Sequence, residues 1–400
     1  MTSFWQNLRD LPASLSLSGL MAGLLVVVTG YSGPILLVLA AAQAGNFTDA
    51  QTASWIMSCA IGNGILTILQ SLYYRQPITA PWSTAGLALL TTTLPNITVE
   101  QAVGAYIVCA VMIALIGVSG LFGRAMALVP LPVVAGLIAG ILLNFGRGVY
   151  AAIGTANDPV LVFAVFAMIG IFFLLKRFGF RAPTLGALLL GATIAILAGK
   201  TDFSEVRLEV VTPLLFAPDF DLNVILTLAL PSVALSLTSQ YAPGQAVLRT
   251  SGYTPPINAI LRNTGIGSVI IAFFGGHGAT LGALTAAIVA SPESQPDPDK
   301  RYASAVASGF FYIVFGLFGT TIFALFAGLP KVLVDVVAGL ALMGTIVSNL
   351  AIATADTDGR DAGIAAFLCT ASGMTFLGIA APFWGLVLGI AVYAILKRNR

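Results

Sequence analysis

Apolar runs recur about every 25 to 30 residues along this chain, each close to the roughly 20 residues needed to cross a bilayer. A chain built this way has to fold as a polytopic membrane protein. Charged residues make up 8% of its 400 residues, against roughly 25% in a soluble globular chain. The longest moderately polar stretch runs only from about Lys200 to Asn223, so no separate soluble domain fits. The hydropathy pattern predicts fourteen spans, at 15–42, 51–73, 83–94, 99–121, 130–145, 158–176, 183–199, 222–241, 256–274, 278–290, 302–327, 331–353, 361–376 and 380–396. The start, with Arg9, Asp10 and Pro12 ahead of a full-length span, does not read as a cleavable signal. Cys59, Cys109 and Cys369 lie in apolar runs without metal-ligand spacing and read as small core residues; no metal or cofactor is expected.

With both termini cytoplasmic, fourteen of the eighteen basic residues fall inside: Arg9, Arg75, Arg124, Lys176, Arg177, Arg181, Arg249, Arg262, Lys300, Arg301, Arg360, Lys397, Arg398 and Arg400. Arg147, Lys200, Arg207 and Lys331 fall outside. This asymmetry matches the positive-inside rule and an even number of spans in a cell inner (plasma) membrane. Twelve spans with two re-entrant segments would give the same sidedness.

Two of the spans are short and interrupted. In RQPITAPWSTAGLALL, residues 75–90, Pro77 and Pro81 cannot donate backbone hydrogen bonds. Residues 76–82 should therefore run extended, with a helix starting near Ser83 or Thr84. In FFGGHGATLGAL, residues 273–284, glycines break the chain and a helix can start near Ala279 or Thr280. A shift of 196 residues lays Thr84-Ala85-Gly86 on Thr280-Leu281-Gly282. Weaker echoes flank this pair in the same order: Tyr31-Ser32-Gly33-Pro34 with Tyr241-Ala242-Pro243-Gly244, and Gly62-Asn63-Gly64 with Gly265-Ile266-Gly267. Seven spans, an odd number, separate the copies, so the halves have opposite topology. Inverted repeats with paired broken helices point to a secondary transporter with a site at the midplane. Extended backbone cannot face lipid, so the two breaks should pair as short antiparallel strands or line a cavity.

Half-helix N-termini facing a cavity suit an anion. One helix end contributes only about 0.3–2 kcal/mol, so charge-assisted hydrogen bonds must supply the rest. The candidate donors are the side chains of Ser83, Thr84, Thr280 and Gln240 and the amides of Ala85, Ala279 and Leu281. Ser232, Ser236, Ser239 and Gln240 recur at helical spacing, a stripe that either lines the site or holds helices together. No acidic residue lies inside the first, third, eighth or tenth span, which argues against a cationic substrate. Tyr31, Trp82, Tyr241, Phe273 and Phe274 are the aromatic candidates, with Trp82 and Tyr241 favoured as walls for a planar ligand. His277, the one histidine, either takes up a proton with the anion or stays neutral and donates to a backbone carbonyl of the broken segment. Asp335 is a second ionisable candidate, with Lys331 four residues earlier as a ready ion-pair partner. A membrane enzyme would need a nucleophile–base pair or metal ligands, which one histidine without nearby acids does not supply. A passive anion channel is the other alternative.

GYSGPILLVLAAA, YRQPITAPWSTAGLALL, FFGGHGATLGALTAAI and SPESQPDPDKRYASAVASGFFYIVFGLFG together resemble the benzoate–proton symporter family over nearly the whole chain. The resemblance implies the seven-plus-seven inverted-repeat fold of uracil permeases and sulfate-type anion carriers. Residues 1–128 and 221–327 would form a core domain, and 129–220 and 328–400 a gate domain through which such carriers often dimerise. It also implies import of benzoate or a similar aromatic carboxylate with a proton. Nucleobase carriers of this fold typically place glutamates in the eighth and tenth spans, where this chain has Gln240 and His277. That departure favours an anion over a nucleobase.

Overall fold

The computed structural model describes residues 4–32, 34–128, 130–155, 158–180, 183–204, 206–377 and 379–396. Gly33, Arg181, Lys397, Arg398 and Arg400 lie outside the described residues. Among the described residues, seven helical stretches are long and apolar enough to cross a membrane: Leu17–Ala44, Asp49–Tyr74, Val99–Ser119, Leu131–Gly154, Pro159–Arg177, Leu222–Thr250 and Lys331–Ala355. Pro183–Leu197, Ile257–Phe273 and Ala381–Leu396 are shorter apolar helices. Thr84–Thr93, Ala283–Val289, Tyr302–Leu317 with Gly319–Ala327, and Arg360–Ala371 fill the remaining expected positions.

Three elements differ from the hydropathy reading. Residues Phe4–Ser14 form a helix ahead of the first span. Polar contacts anchor it: Asn7 Nδ2 donates to Leu72 O at 2.8 Å, and Arg75 donates to Asn7 Oδ1 and Asp10 Oδ2, each at 2.8 Å. The thirteenth helix stops at Ala371, and Thr375–Phe376 pairs with Ile379–Ala380 in a two-stranded antiparallel hairpin. The eighth span continues to Thr250 and contains two π-helical turns, Ile225–Ala229 and Leu237–Tyr241. In the second, Ala242 N–H reaches Leu237 O. A regular α-turn there would press the Pro243 ring against the Ser239 carbonyl, and the wider turn relieves that clash.

Helices in lipid associate through close packing instead of a hydrophobic drive, and glycines set the approach here. A Cβ on Gly309 would lie 2.7 Å from Gly64 O, and one on Gly64 2.5 Å from Gly309 O. The Asp49–Tyr74 and Ile257–Phe273 helices interlock reciprocally: Ile271 fills the space beside Gly62, and Leu66 fills that beside Gly267. The glycine echo between the repeats is thus a packing device. Tyr302–Leu317 packs on Asp49–Tyr74 and Leu17–Ser32, and Ile257–Phe273 packs on Val99–Ser119. Elsewhere Leu131–Thr155 packs on Lys331–Ala355 and Arg360–Ala371, and Pro159–Arg177 packs on Pro183–Leu197.

The two broken segments cross as expected. Residues 77–83 and 276–282 are non-helical, with Ser83 and Gly282 extended and Gly278 at a positive φ of 100°. Thr280 N and Oγ1 donate to Pro81 O at 2.8 and 3.0 Å, and Gly282 N reaches Thr79 O at 3.4 Å, an antiparallel register. The preceding helices satisfy one further amide on each strand. Ala80 N donates to Thr67 Oγ1 and Ala279 N to Ser268 Oγ, both at 2.9 Å. The second half-helix starts at Ala283, after Gly282, and not at Ala279 or Thr280. The Thr280 amide is committed to Pro81, which keeps the chain extended three residues further. The matching N-caps are therefore Ser83 and Gly282, and the Thr84–Thr280 alignment does not mark equivalent places.

Candidate functional site

Beside this crossing lies a cavity of about 990 Å³. Its head is formed by Pro81, Trp82, Thr84 and Ala85 on one repeat and by Gly282, Ala283 and Thr285 on the other. Thr238, Ser239 and Gln240, from the π-turn of the eighth span, face it. The opposite wall is Val134, Ala135, Ile138, Ala341 and Leu342. None of the described residues lining it is charged. Ser83 Oγ accepts the Gly86 amide at 3.0 Å and caps the Thr84–Thr93 helix. The positive end of that ten-residue helix therefore faces the cavity beside Trp82.

The twelve candidate residues fall into three places. Trp82, Thr84, Ala85 and Gln240 line the cavity. Ser83, His277, Ala279 and Thr280 line a chamber of about 30 Å³ behind the crossing, shared with Tyr106, Ser232, Ser236 and Ser268. Tyr31, Tyr241, Phe274 and Leu281 line neither. Tyr241 is fully buried, its hydroxyl 2.7 Å from Thr264 Oγ1 and 3.4 Å from Ala279 O, so it fastens the strand instead of walling the cavity. Leu281 packs over Gly244. Phe274 lies at the C-cap of Ile257–Phe273, its carbonyl accepting from Ser54 Oγ at 3.0 Å. The amides of Ala279 and Thr280 serve Ser268 and Pro81, so neither is available to an anion. The polar stripe is divided: Ser232 and Ser236 face the chamber, Ser239 and Gln240 the cavity.

His277 has a partner that the sequence did not disclose. Trp55 Nε1 donates to His277 Nδ1 at 3.0 Å, with Cys59 Sγ 3.5 Å from the same nitrogen. A nitrogen that accepts an N–H carries no proton, so the neutral ring is protonated at Nε2. The ring is thus held by an indole and a thiol at Nδ1, whereas the neutral alternative has it donating to a backbone carbonyl of the broken segment.

A second cavity, of about 500 Å³, lies at the far end of the Thr84–Thr93 helix, lined by Thr91, Thr92, Gln43, Phe145, Phe326, Lys331 and Asp335. Lys331 Nζ holds both Asp335 oxygens, at 2.9 and 2.8 Å. Buried Ala88, Leu89 and Leu90 separate the two cavities along that helix. Tyr312, which sequence reasoning missed, also lines the large cavity. It sits in an unbroken apolar span whose neighbours are Phe310, Phe311 and Phe315, so nothing in the sequence marks it.

Comparison with known proteins agrees with this architecture. The transmembrane domain of the cyanobacterial bicarbonate transporter BicA superposes with a TM-score of 0.60 at 17% identity, covering 96% of this chain and 97% of that one. SLC26A9 gives a TM-score of 0.63 at 11% identity, over 95% of this chain and 65% of that one. At these identities the likeness establishes the fold of an inverted-repeat membrane transporter. In sequence, the benzoate membrane transport protein of Acinetobacter baylyi is 38% identical over 393 residues, 98% of both chains. The inner membrane protein YdcO of Escherichia coli is 36% identical over 385 residues, 95% of this chain and 97% of that one. Residues 13–395 match the family described as benzoate membrane transport protein. The chain belongs to that family and is a multi-pass membrane transport protein.

Proposed function

We propose that this protein imports benzoate or a similar aromatic carboxylate together with a proton, by alternating access. The observation that carries this reading is the uncharged cavity of about 990 Å³ at the head of the Thr84–Thr93 helix. Helix end, Thr84 and Gln240 offer hydrogen bonds to an anionic group, and Trp82, Ala85, Val134 and Ile138 offer an apolar enclosure for a ring. A relative 38% identical over nearly its whole length is named for benzoate transport. A fixed cation is missing among the described lining residues, which suits a carrier that must release its anion again.

Carrying one proton per carboxylate makes electrical sense. A membrane potential negative inside opposes anion entry by about 2.3 kcal/mol per charge per 100 mV, and a neutral load removes that term. His277, behind the crossing, is the proton candidate, and taking a proton at Nδ1 requires release of the Trp55 indole. In this reading residues 1–128 and 221–327 form the moving core and 129–220 and 328–400 the gate. The large cavity extends to Pro130, Pro183, Asn349 and Ile352, on the side that collects most basic residues, which corresponds to an inward-facing state.

Proteoliposomes loaded with the purified protein test this. Benzoate should accumulate above its external concentration when an inward proton gradient is imposed, and only equilibrate without one. Equilibration under both conditions would mean a passive channel. Thermal stabilisation by uracil and not by benzoate would move the assignment to a nucleobase.

A further inference from the structure

Two residues in the cavity wall carry a hydrogen-bond donor without an acceptor. Trp82 Nε1 and Tyr312 Oη are enclosed and have no hydrogen-bond partner among the described residues, although both residues line the large cavity. The two rings stand 6.4 Å apart at 80°. Trp82 precedes Ser83, the cap of the Thr84–Thr93 helix, which puts its indole at the head of that helix. Tyr312 approaches from Tyr302–Leu317, fully buried, with its hydroxyl against Gly30. A Cβ on Gly30 would sit 2.6 Å from Tyr312 Oη, and Gly30 itself lines the cavity.

A buried donor that has lost water without gaining an acceptor is costly, and native proteins keep few of them. Tyr31 Oη, Tyr106 Oη and His277 Nε2 are also unpartnered among the described residues, but these residues do not line this cavity. Trp82 and Tyr312 therefore stand apart by position. An indole N–H can only donate, so the chemistry that completes Trp82 must bring an acceptor. No described cation lines the cavity, so an anion entering it must be held by neutral donors. We propose that Trp82 Nε1 and Tyr312 Oη receive the oxygens of the substrate's carboxylate at the head of the Thr84–Thr93 helix. The apolar body of the ligand then lies along Ala85, Val134 and Ile138. Both tips lie in the wall, not on its open face, so the proposed contact requires the hydroxyl to turn toward the ligand past Gly30, which has no side chain in its way. The assignment rests on the reading of the cavity as an aromatic-carboxylate site, and adds Tyr312 and Gly30 to it.

Tyr312→Phe and Trp82→Phe each delete one donor and retain an aromatic ring. In the purified full-length protein, calorimetric titration should show benzoate affinity weakened by about tenfold or more in each variant, as for loss of a hydrogen bond to a charged group. The ligand-free melting temperature of Tyr312→Phe should stay level or rise, because no existing bond is removed, whereas Trp82→Phe also shrinks a buried side chain and should melt lower. Benzoate affinity equal to wild type in both variants would overturn the assignment. So would a ligand-free melting temperature that falls in Tyr312→Phe with affinity retained, since that marks its hydroxyl as structural. Wild-type protein that binds no aromatic carboxylate ends the functional reading and this assignment together. Binding by wild type with unaltered variants ends the assignment alone.

Discussion

The Trp55 indole and the His277 imidazole join the second span to the second broken segment through one hydrogen bond of 3.0 Å. The indole N–H occupies the nitrogen that an incoming proton would need. If His277 takes up the coupling proton, Trp55→Phe removes the group that opposes it, and the pH dependence of benzoate uptake should move toward higher pH. His277→Gln should flatten that dependence while the protein still folds. An uptake profile identical to wild type in both variants, measured in proteoliposomes across pH 5 to 8, would take His277 out of the coupling step.

The strand crossing depends on two hydroxyls in corresponding positions of the repeats. Thr67 holds the Ala80 amide and Ser268 the Ala279 amide, each inside the protein. Thr67→Val and Ser268→Ala leave a buried amide without an acceptor, at a cost of about 1–3 kcal/mol each. Melting temperatures in detergent should fall in both variants, although neither residue lines the large cavity. Full stability in either would show that the strand does not need that hydroxyl.

Gly309→Ala places a methyl group against backbone. The added carbon would lie 2.6 Å from Ile68 Cγ1 and 2.7 Å from Gly64 O, so the helices must separate. Overpacking of this kind costs about 1–3 kcal/mol. Gly148→Ala, with nothing within 4 Å of the added carbon, is the control and should melt like wild type. Equal melting temperatures for the two variants would contradict the close crossing.

Asp158 caps Pro159–Arg177, accepting the Val160 amide at 2.8 Å and pairing with Lys200 at 2.6 Å. The Lys200 ammonium, and then the Val160 amide, hold its carboxyl below the usual carboxylate range. A depressed value in the folded state stabilises above the unfolded value of about 4 and is lost as pH falls through the folded one. Asp158→Asn should therefore melt slightly below wild type at pH 7, and the gap should close on acidification below about pH 4. A gap that is constant with pH would exclude the charge as its source.

The spans and the two breaks were legible because each rests on a local property: long apolar runs, and Pro77, Pro81 and the glycines around His277. The start of the second half-helix was not, because it is decided by the Thr280 amide finding Pro81, 199 residues away. The Phe4–Ser14 helix escaped because polar contacts from Asn7 and Arg75, not hydropathy, hold it. Of the candidate residues, Trp82, Thr84 and Ala85 at the first break and Gln240 in the eighth span line the large cavity. Tyr241 and Leu281 looked equivalent in sequence but turn to the other side of the crossing. Tyr312 and Trp55 carry no local mark, and only the packing of distant helices gives them partners or a place.

The hydrogen bonds from Thr280 and Gly282 to Pro81 and Thr79 fix the two half-helix heads to each other. In the proposed alternating-access mechanism, cargo held there would ride as a passenger on a stiff platform, with the travel taken up along the facing wall at Val134, Ile138 and Leu342. Choosing the cargo and moving it then belong to different surfaces. Substitutions on the facing wall should alter how fast the platform shuttles, and substitutions at the crossing which passenger it accepts.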